Sequence, residues 1–99
     1  MKFTSDNQIA EYLTSAGLQQ ASTGGGYSAW FLPAASGIRR WQIAITNDQD
    51  TAPLAPGTPV VIALEDPEGV PVECEDLPSP DFLPDALARY IAPGKNRFG

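Results

Sequence analysis

The stretch Trp41-Gln42-Ile43-Ala44-Ile45-Thr46 places large apolar side chains at every second position, with small or polar residues between them. Period-two alternation predicts a strand with one face toward a core and the other toward water or a smaller contact. Three further runs read the same way, giving four expected strands over Tyr27–Ala34, Arg39–Thr46, Pro59–Leu64 and Val70–Glu75. Ser36 and Gly37 break the first two into a hairpin. Asp66, Pro67, Glu68 and Gly69 separate the last two, with proline and glycine where a type I turn favours them. Between the hairpins, Asn47 to Thr58 is long for a connection inside a compact domain, which marks it as a functional or spanning loop.

Outward from these strands the period becomes helical. Ser5 followed by Gln8 resembles a capping box, Ile9, Leu13 and Ala16 recur on one face, and Gly17 can close the helix in the left-handed conformation, with Leu18 folding back on the last turn. Gln19 to Gly26, with Ser22, Thr23 and three consecutive glycines, reads as a connector. At the other end Leu83, Leu87, Tyr90 and Ile91 share a face, Pro84 fits a first helical turn, and Pro93 and Gly94 stop the helix. Pro78 to Leu83 is then an irregular approach, and Lys95 to Gly99 a tail that frays unless Phe98 docks. The order helix, four strands, helix predicts one α+β domain over residues 1–99, a four-stranded antiparallel sheet of two hairpins with an N-terminal and a C-terminal helix. Its 99 residues, 42% of them apolar, suffice for one modest core.

Composition closes off much chemistry. With no histidine and one cysteine, the chain offers no internal disulfide, no structural zinc set and no base to activate Cys74 or a serine, and it has no G-x-S-x-G elbow. The glycine triplet lacks the GKS or GKT tail and following helix of a phosphate-binding loop. The run from Asp48 begins like a calcium loop, but Pro53 stands at its sixth position and Pro59 at its twelfth. Paired carboxylates can hydrolyse glycosides, yet those here read as exposed, in a chain with little room for a sugar cleft. No enzyme, cofactor or metal is expected. Cys74 reads as a small buried apolar residue, and Tyr27, Trp30, Phe31 and Trp41 as core aromatics. Arg39 and Arg40 face opposite sides of a strand, so one can pair with a carboxylate across the sheet. The longest apolar run, Val60 to Leu64, is far too short to cross a bilayer, and no long apolar leader precedes the first helix, so a soluble, cytoplasmic protein is expected.

Charge is the feature above background. The net charge is −6, and residues 41–88 hold ten carboxylates and no lysine or arginine, eight of the acids falling between Glu65 and Asp85. Glu73 and Glu75 share a strand face opposite Val72 and Cys74; Glu65, Asp66 and Glu68 lie at the adjoining turn, Asp76 at the strand's end, and Asp48 and Asp50 in the long loop. These eight are the candidate partner-binding residues, expected on one water-facing side of the sheet. A surface that keeps uncompensated repulsion suits a partner supplying positive charge, such as a basic protein or nucleoprotein complex, while the molecule itself repels nucleic acid. The bland alternative is a solvated face that confers solubility. In size, acidity and lack of catalytic groups the chain resembles small phage-encoded inhibitors, including anti-CRISPR and anti-restriction proteins; no motif carries the likeness. It implies a noncatalytic inhibitor that occupies a groove built for phosphates. The rival expectation is a small structural or assembly protein, a virion or accessory subunit acting through homo- or hetero-oligomerisation.

Overall fold

The computed structural model describes residues 2–33, 42–49, 51–66, 68 and 70–91. Helix α1 spans Asp6–Ser15, followed by strands β1 (Gln19–Gly24), β2 (Tyr27–Pro33), β3 (Gln42–Asn47), β4 (Val60–Glu65) and β5 (Pro71–Leu77), a 3₁₀ turn over Pro80–Phe82, and helix α2 (Leu83–Ile91). The strands form one antiparallel meander in the order β1-β2-β3-β4-β5. The α+β class and the two helices match expectation, but among the described residues the sheet has five strands where four were expected.

The additional strand is β1, in the stretch read as a connector. Its residues, Gln19 to Gly24, have no apolar alternation to announce them. They become a strand because Gly25 and Gly26, both at positive φ, turn the chain back on itself, and Gln19 to Ser22 then pair with Phe31 to Ser28. Glycine reaches that backbone region without strain. The hairpin turn expected at Ser36 and Gly37, Trp41, the Arg39–Arg40 pair, Asp50, the turn positions Pro67 and Gly69 and the Lys95–Gly99 tail lie outside the described residues.

Helix α1 begins as its sequence foretells: Ser5 Oγ accepts from Gln8 N at 3.2 Å. The reciprocal bond lands one residue early, Gln8 Oε1 accepting from Thr4 N and Thr4 Oγ1. At the other end Gly17, at φ 96°, donates to Thr14 O, and Leu18 N donates to Leu13 O at 2.9 Å. That pair of bonds satisfies carbonyls the helix leaves open and turns Leu18 into the core. The approach to α2 is more regular than expected: Ser79 Oγ caps a 3₁₀ turn by accepting from Asp81 N, and Pro84 lies in the first turn of α2.

One face of the sheet carries the core. Trp30, Leu32, Ile43, Ile45, Val60, Ile62, Leu64 and Leu77 project to the same side, where they cluster with Ile9 and Leu13 of α1 and Leu83, Ala86 and Leu87 of α2. Tyr90 joins them. Ala29, Ala44 and Ala63, on the opposite face, take no part in that cluster.

The long loop is anchored, not spanning. Trp30 Nε1 donates to Ala52 O at 2.9 Å, and Ala52 N donates to Ser28 Oγ, so β2 grips the loop while Ala52 and Leu54 enter the core. Asn47 organises the loop's start: its amide donates to Thr51 Oγ1 and Pro53 O and accepts from Gln49 N and Thr51 N. Among the described residues no helix is long and apolar enough to cross a membrane.

Candidate functional site

The acidic residues fall on the sheet according to register, and register separates them. Across β4 and β5, Leu64 lies opposite Glu73, Ile62 opposite Glu75 and Val60 opposite Leu77. Residues directly opposite in an antiparallel pair project to the same side. Glu73 and Glu75 therefore stand on the helix-bearing side, at the sheet's edge. Ala63 lies opposite Cys74 and Val61 opposite Asp76, so Asp76 projects from the other face. The expected single water-facing side is thus two faces of one edge strand.

The turn joining β4 to β5 brings three more acids beside these. Asp66 Oδ1 accepts from Glu68 N and Val70 N, both at 2.9 Å, so this carboxylate builds the turn it occupies. Glu68 is exposed on that turn. Glu65 accepts from Gln42 Nε2 at 2.7 Å, a cross-strand bond to β3. Asp48 does not join the acids of the turn: it follows Asn47, which pairs with Val60 at the end of the sheet where Asp76 stands, whereas the turn lies beyond the Gln42–Glu65 pair. Five residue steps along β3 put Asn47, the residue before it, about 17 Å from that end.

Glu75 has a cation of its own chain. Arg89, on α2, donates from both terminal nitrogens to Glu75 Oε1 and Oε2 at 3.0 and 3.1 Å. The hydrogen bond and the carboxylate's charge raise the guanidinium's pKa. Tyr90 beside it is pushed above the ordinary phenol range, first by burial and then by the charges of Glu75 and Glu73. Among the described residues no three carboxylate or thiol groups converge as a metal ion would need.

Two apolar residues border the acids. Val70 is 53% exposed, and Val72, 45% exposed, is the extra residue where the β4–β5 register shifts between Leu64 and Glu65. Sequence reasoning did not single these out, because a valine in an alternating run reads as core. Cys74 corrects another expectation: it is exposed, because β5 is an edge strand and Cys74 stands on the face without helices. Of the aromatics expected in the core, Trp30 is buried and Phe31 half-buried, while Tyr27 at the β1–β2 turn is exposed. The chain matches no family model, no curated protein and no solved structure.

Proposed function

We propose that the protein is a noncatalytic acidic binding module that acts in the cytoplasm by blocking a basic, nucleic-acid-handling partner, in the style of a small phage-encoded inhibitor of RNA-guided or restriction nucleases. The observation that carries this reading is the β4–β5 hairpin: Glu65, Asp66, Glu68, Glu73, Glu75 and Asp76 all stand on it, at one edge of the sheet. Carboxylates spaced along a narrow edge can follow a groove lined with lysine and arginine as a phosphate backbone does. Val70 and Val72 add apolar contact next to the charge, the combination that converts steering into affinity. Asp48, which follows the Asn47–Val60 pair, is distant from the β4–β5 turn but lies at the end of the sheet where Asp76 stands, and no cofactor is required.

The test is inhibition of DNA cleavage by a panel of RNA-guided and restriction nucleases. Glu68 and Asp76 are exposed, and neither side chain braces the turn as Asp66 does. The double variant Glu68→Lys/Asp76→Lys is expected to weaken inhibition about tenfold or more with an unchanged melting temperature, and added salt is expected to act in the same direction. Wild-type protein that inhibits none of the panel, or a double variant as potent as wild type, overturns the reading. A second reading, a small assembly subunit, draws on β1, an edge strand without a charged residue. Light scattering that finds a stable homo-oligomer, with the acidic hairpin still open to solvent, favours it.

A further inference from the structure

The bidentate contact between Arg89 and Glu75 joins two elements that the core already holds in place. Helix α2 is seated by Leu83, Ala86 and Leu87, and β5 by its ladder with β4 and by Leu77. Neither needs the ion pair to stay where it is. The pair is also accessible, the side chains of Arg89 and Glu75 being 54% and 34% exposed. Exposed pairs of this kind are weak and open readily, because water and salt screen both charges. Their geometry is nonetheless specific: a planar guanidinium sets two donors against two carboxylate oxygens, the arrangement an arginine from another protein would adopt.

We propose that Arg89 is an autoinhibitory contact, a guanidinium of the chain's own that occupies Glu75 until an arginine of the partner displaces it. The inference rests on the acidic-surface reading above and narrows it to partners that present arginine at this edge. Displacement conserves contacts: one guanidinium–carboxylate pair opens as another forms, and the released Arg89 returns to water. Because the pair opens readily, the contact sets a modest threshold, one that a partner engaging Glu68, Asp76 and Val72 at the same time crosses most easily. Lysine, a point charge without the fork, is the poorer competitor.

Binding of a short polyarginine peptide, followed by calorimetry at low salt, tests this in wild type and three variants. Arg89→Ala, on an exposed helical position, is expected to bind about two- to fivefold tighter than Lys2→Ala, which removes the same charge from the N-terminal segment. Arg89→Lys is expected to fall between wild type and Arg89→Ala. Thermal melts check that each variant is folded. If wild type binds the peptide but Arg89→Ala binds no tighter than Lys2→Ala, the autoinhibitory contact is overturned and the acidic-surface reading stands. If neither wild type nor Arg89→Ala binds, both fall.

Discussion

Gly17 shows how far one residue can be read from sequence alone. It was expected to close α1, and it does so at φ 96°. A Cβ at that position would also lie 3.3 Å from Leu32 Cδ1 of β2. Gly17→Ala therefore combines left-handed backbone strain with a tight contact and is expected to cost about 1–2 kcal/mol of unfolding free energy, measured by urea denaturation. The same legibility holds at Ser5, whose hydroxyl caps α1, and at Ile43 and Ile45, whose alternation placed them correctly in the core. It fails at Cys74 and Tyr27, because local pattern tells which residues share a face but not whether anything covers that face. Trp30 is intermediate: its burial was expected, but its indole bond to Ala52, 22 positions away, has no local signal.

Among the elements, those with a strong period were found and those without one were not. Both helices and strands β2 to β5 show apolar recurrence, and the ends expected within the described residues fall within a few residues of expectation, while the stop at Pro93 and Gly94 lies outside them. Strand β1 escaped because Gln, Ser, Thr and Gly are individually poor strand signals, and its pairing depends on the glycine turn and on β2. The loop between β3 and β4 was legible as unusual but not as anchored, since its anchors sit on β2. Removing one anchor isolates its contribution. Trp30→Phe keeps most of the ring and deletes the indole donor, leaving the Ala52 carbonyl buried without that partner. A loss of about 1–3 kcal/mol is expected, with faster proteolysis between Asn47 and Thr58 than elsewhere in the chain.

At the scale of the whole molecule the acidic block was plain from charge counting, but its distribution was not. Which carboxylates stand together depends on register, on a β-bulge at Val72 and on which helix supplies Arg89, none of which the local alternation announces. The phenols give a pH test of the folded state. Tyr12 and Tyr90 are both held above the ordinary tyrosine range, chiefly by burial, with the negative charge of Asp85 adding at Tyr12 and that of Glu75 and Glu73 at Tyr90. Both keep their protons in the folded state at a pH where the unfolded chain releases them. Their contribution to stability is therefore intact below about pH 10 and is lost as pH rises through the folded values. Melting temperature is expected to fall across that alkaline window, and less steeply in Tyr12→Phe and Tyr90→Phe. The meander has a kinetic corollary. Because every strand pairs only with its sequence neighbour, most of the sheet can assemble by successive closures between neighbours, without a crossover connection. The hydrogen bond from Phe3 N to Asp81 spans 78 positions, so it has a very long loop to close and belongs among the last native contacts to form.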